Sequence, residues 1–206
     1  MTVILSRRAL LSSLAALPLA GCAARMSGGP GVTEQMFGQM PDGAPVTLYT
    51  LTNATGASLR VMTYGATVTN LVMPDRAGTF ADVVLGLDDF ESYRTKSRNF
   101  GTLVGRYAGR IGNGRFPLDG REVVLDTGGS KHSSHGGPVG FAKRNWHGAI
   151  LDGATVRMTL LSADGDQGFP GDLGISVTYS LTPDNRFCLE IEALTTKPTV
   201  LNPTHH

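Results

Sequence analysis

The chain has 206 residues, and its 18 Lys and Arg stand against 17 Asp and Glu. Near-balanced charge excludes the basic footprint that nucleic-acid binding requires. All the histidines fall between His132 and His206, which together with 27 glycines suits a small polar ligand better than a polyanion.

The first residues read as an export leader. Arg7 and Arg8 make a basic start, Ala9 to Ala20 an apolar run broken by Ser12, Ser13 and Pro18, and Leu19-Ala20-Gly21-Cys22 resembles a lipoprotein cleavage box. A run of this length is too short to cross a bilayer as a helix. The expectation is a signal peptide over residues 1–21 and Cys22 as the lipidated first residue of the mature chain. That makes an exported, periplasmic lipoprotein held to a membrane by its N-terminal lipid. An uncleaved anchor or a buried helix is the competing reading. Ser6-Arg7-Arg8-Ala9-Leu10-Leu11 also resembles a twin-arginine signal. With Cys22 acylated no intramolecular disulfide can form, and Cys188 reads as a small strand-face residue. Residues 22–45 read as a tether, because Gly28, Gly29, Gly31, Gly38, Pro30 and Pro41 lie there and neither period 2 nor 3.6 persists.

From Val46 onward the period is 2. Val46-Thr47-Leu48-Tyr49-Thr50-Leu51, Ser58-Leu59-Arg60-Val61-Met62-Thr63-Tyr64, Val156-Arg157-Met158-Thr159-Leu160 and Phe187-Cys188-Leu189-Glu190-Ile191-Glu192-Ala193 alternate apolar with polar residues, as half-buried strands do. Turn residues bound them at Asn53–Gly56, Asp152-Gly153 and Pro183-Asp184-Asn185. Only Asp88–Lys96 reads as a short helix or turn. Residues 46–206 are therefore expected to form one all-β domain of antiparallel strands, a sandwich or barrel.

Three further segments follow in order. They are Gly105-Arg106-Tyr107-Ala108-Gly109-Arg110-Ile111, then His135-Gly136-Gly137 with Gly140-Phe141-Ala142-Lys143-Arg144-Asn145-Trp146, then Asp164-Gly165-Asp166-Gln167-Gly168-Phe169-Pro170-Gly171. With Asn202-Pro203-Thr204-His205-His206 they resemble the aldose 1-epimerases, or galactose mutarotases, from about Val46 to His206. The resemblance implies the antiparallel β-sandwich of the galactose mutarotase-like superfamily, incomplete at the C-terminus because family members continue past this point. It also implies interconversion of the α and β anomers of a hexose such as galactose or glucose. That reaction needs a base to take the anomeric proton and an acid to protonate the ring oxygen, with no metal or organic cofactor.

By the same resemblance His206 is the catalytic acid; imidazole titrates near neutral pH and can give and recover a proton within one cycle. The family motif reads Thr-Asn-His, so His205 is the departure while His206 keeps the catalytic place. His135 is assigned to sugar binding, and Gly136-Gly137 would let the backbone turn beneath a ligand. Arg106 is expected to contact sugar hydroxyls through its planar donors, while Arg110 is expected to hold the loop. Without the family, a phosphate patch is the competing reading of the two arginines, and the near-balanced charge argues against it. The family commonly has Asn where this chain has Gly109.

Trp146 has two readings, a stacking platform for a sugar face and a core or clamp residue. His132 and His135, with His205 and His206, form a weak zinc-like pattern whose loop spacing argues against metal. Asp164, Asp166 and Gln167 resemble calcium ligands, but the string reads better as a structural turn. The family's base is a glutamate beyond the histidine, and Glu190 and Glu192 read as solvated strand residues rather than substitutes. The alternatives to an enzyme are a shortened, inactive family member with at most weak carbohydrate binding and a surface carbohydrate-binding module.

Overall fold

The computed structural model describes residues 30–206. The expected signal peptide and the lipidation site at Cys22 lie outside the described residues. Two antiparallel sheets form the body. The first is a meander of β1 (Gly31–Gln39), β2 (Pro45–Thr52), β3 (Ser58–Met62), β4 (Thr67–Pro74) and β5 (Phe80–Asp82). After α1 (Phe90–Thr95) come short pieces: β6 (Leu103–Val104), β7 (Arg110–Ile111), the hairpin β8 (Arg115–Leu118) and β9 (Arg121–Val124), and β10 (Ser133–Ser134). The second sheet is a meander of β11 (His147–Ile150), β12 (Thr155–Ser162), β13 (Leu173–Leu181) and β14 (Phe187–Thr195). Finally β15 (Thr204–His205) returns to pair with β6.

Alternation decides what each strand buries. Val156 and Met158 of β12 turn inward while Arg157 and Thr159 face solvent, and on β13 Leu173, Ile175, Val177, Tyr179 and Leu181 all point into the core. They meet Tyr49, Leu51, Leu59, Val61 and Val68 of the first sheet in one cluster, the filling of an all-β sandwich. Each such side chain contributes about 1.5–3 kcal/mol when fully buried. Tyr179 keeps its hydroxyl satisfied by donating to Ala66 O, and burial pushes its phenol far up. Strand β2 is covered on both faces, because Leu48 joins Val46 and Met62 against Phe90 and Tyr93 of α1.

The helix falls where the sequence allows one. Asp89 caps it, accepting from Ser92 N at 2.7 Å. Among the described residues no helix is long and apolar enough to cross a membrane.

The tether reading is corrected over residues 31–39. These form β1, an edge strand in register with β2 from Gly31 opposite Thr52 to Gln39 opposite Pro45, with a bulge between Met36 and Gly38. Its side chains are all exposed or half-buried, with only Val32 and Phe37 packed against the core, so backbone pairing carries most of the strand and no apolar alternation is required. Gly38 must stay bare, since a Cβ there would lie 2.5 Å from Phe90 Cδ1.

Candidate active site

Three loops meet at the end of the sandwich where β15 joins β6. Thr204 pairs with Val104 and His205 with Leu103, and His206 N donates to Thr102 O while Gly101 N donates back to His206 O, both at 2.8 Å. Successive residues of a strand face opposite ways. His205 accordingly packs edge-on to Phe187, with ring centroids 5.9 Å apart, and His206 turns the other way onto His135, 5.1 Å between centroids and 86° between planes. The structure thus brings His135 and His206 together and separates His205 from both. Burial holds the His205 imidazole below its ordinary range, and its Nε2 is buried without a partner among the described residues.

His135 is fixed by the glycine that precedes Arg110. Its backbone N donates to Gly109 O at 2.8 Å, and Gly109 N donates to His135 Nδ1 at 3.2 Å. An accepting Nδ1 places the proton of the neutral ring on Nε2, so His135 presents a donor to the site. Burial first, then the nearby His206 and Arg110 charges, lowers its pKa and favours that neutral form. The residue itself sits at φ 51°, in the left-handed region. Gly136, next in the chain, lies so close that an added Cβ would be 1.7 Å from Gly105 O. Only a residue without a side chain lets this turn rest on the peptide before Arg106.

Arg106 is not where the sequence reading put it. Its side chain is 1 % exposed, and its donors end on protein: Nε on Ser162 Oγ at 3.0 Å, one terminal nitrogen on Pro170 O at 2.9 Å, the other shared among Ser162 O, Ala163 O and Gly171 O. Phe169 lies beneath the guanidinium at 5.8 Å. A planar group whose nitrogens all end on protein acceptors has nothing left to offer a sugar. The Asp164–Gly171 segment is therefore a turn wrapped around an arginine, as expected of a structural element. Asp166 completes the brace, taking Ser162 Oγ–H at 2.7 Å and the Arg144 guanidinium at 2.5 Å.

Arg110, which the sequence reading set aside as a loop support, is the exposed arginine. It lines a groove of about 410 Å³ together with His135, Ser134, Asn99, Lys131 and Lys143.

The other candidates fall into place. Trp146 is core, 3 % exposed, edge-on to Phe141 at 5.7 Å and donating to Phe141 O. His132 does not join the other histidines, since its Nδ1 accepts from Asn113 N. No three His, Cys, Asp or Glu side chains among the described residues cluster as metal ligands. Glu190 and Glu192 are exposed on β14, and Cys188 is a half-buried free thiol there.

A sequence profile described as aldose 1-epimerase matches residues 47–206. The chain belongs to the aldose 1-epimerase family. It is similar to the aldose 1-epimerases of Haemophilus influenzae, 42% identical over 173 residues, and Escherichia coli, 40% identical over 166. These alignments cover 84% and 81% of this chain but 50% and 48% of the relatives. The chain thus spans about half the length of the curated relatives it matches. Among solved structures it is similar to a galactose 1-epimerase from Lactobacillus acidophilus, with TM-score 0.76 and 26% identity over 86% of this chain and 52% of that one. A homologue from C. elegans gives TM-score 0.71 and 31% identity over 77% of this chain and 49% of its own. The family and the β-sandwich inferred from the sequence are both established by these likenesses.

Proposed function

We propose that this site serves mutarotation of a hexose, opening and reclosing the hemiacetal so that α and β anomers interconvert. The observation that carries the reading is the contact of His206 with His135, which lines the Arg110 groove. His206 protonates the ring oxygen as the ring opens and recovers the proton on closure. His135, neutral with Nε2–H outward, donates a hydrogen bond that orients the sugar, and Arg110 offers its fork to hydroxyl oxygens. The complementary base must take the anomeric proton. No carboxylate lines the groove among the described residues, and the family resemblance implies a glutamate that follows the histidine in longer relatives.

Polarimetry of freshly dissolved α-D-galactose tests the reading. A positioned acid or base supplies about 10²- to 10⁴-fold each, so residues 1–206 alone should barely exceed buffer. A chain extended to the length of its relatives should be active, and His206→Ala in it should cut turnover at least about 100-fold. Full activity in that variant would remove the acid assignment. The rival reading, a binding module without catalysis, predicts saturable galactose binding with no rate change even in the extended chain.

We also infer an exported lipoprotein anchored through Cys22. What supports this is the sequence alone: paired arginines, a short apolar run and the Leu19-Ala20-Gly21-Cys22 box.

A further inference from the structure

Gln167 reaches both walls of the groove without lining it. Its carbonyl accepts from Asp126 N and its side-chain Oε1 from Val139 N, each at 2.9 Å. Asp126 leads into the wall formed by Thr127, Gly128 and Ser130, and Val139 closes the turn that begins at His135 and runs through Gly137 and Pro138. The same side chain packs against that turn: a Cβ added to Gly137 would lie 2.6 Å from Gln167 Oε1 and 2.9 Å from its Cβ. The two walls also touch each other, since a Cβ on Gly128 would come 3.1 Å from Pro138 Cβ.

The backbone gives no reason for a glutamine here. Gln167 stands at φ 52° between Gly165 at 83° and Gly168 at 87°, in a left-handed conformation that glycine adopts freely and asparagine more readily than longer residues. The turn closes through main-chain bonds, Gly168 N to Gly165 O and Phe169 N to Asp166 O. What the side chain adds is the oxygen at Val139 N. Its other end, Nε2, faces Asp166 Oδ1 at 3.4 Å, which orients the amide with the oxygen toward the N–H. At the opposite end of the turn, the bond from Gly109 N to His135 Nδ1 is 3.2 Å, long for an N–H donor, so a small shift of the turn breaks it. We propose that Gln167 is a positioning residue for His135, fixing the turn that presents the imidazole and the spacing of the groove's two walls. The proposal rests on the mutarotase reading for what His135 is placed to do; the placement itself is measured without sugar.

Gln167→Asn in the full chain tests it. Asparagine suits the left-handed backbone better, so folding should be kept or improved, while the amide falls one methylene, about 1.5 Å, short of Val139 N. NMR of ¹⁵N-labelled imidazoles reads the outcome, with the His135 signals assigned by their loss in His135→Ala. In the parent the neutral ring should carry its proton on Nε2 and titrate below the ordinary 6.5, held there by burial first and then by His206 and Arg110. In Gln167→Asn the Nε2–H form should lose its dominance and the pKa should rise toward 6.5, as the ring gains water and Gly109 N leaves Nδ1. Gln167→Glu keeps an oxygen at the same reach, beside an Asp166 already paired with Arg144, and should restore the parent's tautomer. Calorimetric titration with D-galactose should show several-fold weaker binding in Gln167→Asn and recovery in Gln167→Glu. Unchanged His135 signals in Gln167→Asn would overturn the proposal, whether or not the urea midpoint moves, because a merely structural turn residue predicts that result. A Gln167→Glu variant with the tautomer mixture of Gln167→Asn would overturn it as well. Should His135 respond as expected while the parent chain binds no galactose, the positioning role stands and the mutarotase reading falls.

Discussion

Exchanging the two arginines experimentally separates structure from site. In Arg106→Ala the carbonyls of Ser162, Pro170 and Gly171 lose the guanidinium as donor, Ala163 O keeps only Asp166 N, Ser162 Oγ keeps only Asp166, and Phe169 loses the cation above its ring. An orphaned buried acceptor costs about 1–3 kcal/mol, but relaxation and recovered arginine solvation offset part of the sum. Removing one partner from a buried charged network costs about 3–5 kcal/mol, a large share of the roughly 5–15 kcal/mol that holds a domain together. Arg106→Lys keeps the charge but has three donors for a fork-shaped cage, so a smaller loss is expected. Arg110→Ala, at an exposed position without a salt bridge, should change stability by no more than about 0.5 kcal/mol. Its effect should be on hexose affinity. Urea unfolding followed by tryptophan emission reads the first quantity, since Trp146 is buried; calorimetric titration reads the second. The reasoning fails if Arg106→Lys melts like the parent yet no longer binds sugar, or if Arg110→Ala unfolds early.

At Gly136→Ala the new Cβ meets Gly105 O at 1.7 Å and Arg106 N at 2.6 Å at φ +89°, so about 2–4 kcal/mol should be lost through strain and overpacking; Gly109→Ala, with open space around it, should cost only about 1–2 kcal/mol, and equal midpoints for the two would refute the packing argument. His135 and His205 both titrate below the ordinary 6.5, so the unfolded chain takes up protons that the folded one refuses. Stability is then complete above that value and falls as pH drops through it toward the folded pKa values; the urea midpoint should be lower at about pH 5.5 than at about pH 7.5, and a flat profile would count against it. Cys22→Ser should release the protein from membranes or leave the leader uncleaved, whereas a soluble parent with a different N-terminus would end the lipoprotein reading.

Strands with one wet face were legible because burial imposes period 2, as on β12 and β14. Strand β1 was not, since an edge held by backbone pairing leaves no apolar signature. Segments carrying the site were visible as motifs, yet the roles of two identical residues in one loop were not. Arg106 and Arg110 differ only in what surrounds them, and their surroundings come from distant parts of the chain: the Asp164–Gly171 turn encloses one, and the turn before His135 leaves the other open. For Trp146 the sequence left a sugar platform and a core role both open, and Phe141 packed against it decides for the core.

The buried arginine links the turn to both histidine segments. While its side chain is gripped by the turn, Arg106 O accepts from Asn202 N, and Ala108 N donates to Asn202 O, which aligns the run leading to His206. The preceding carbonyl, Gly105 O, accepts from Phe141 N and supports Gly136, which aligns His135. Gly105 and Arg106 together thereby tie three separate loops at the place where two imidazoles must meet within about half an ångström of a working geometry. A sugar-contacting arginine could be moved or lost with a change of substrate. An arginine whose main chain and side chain set the spacing of both histidines could not be, whichever hexose the groove accepts.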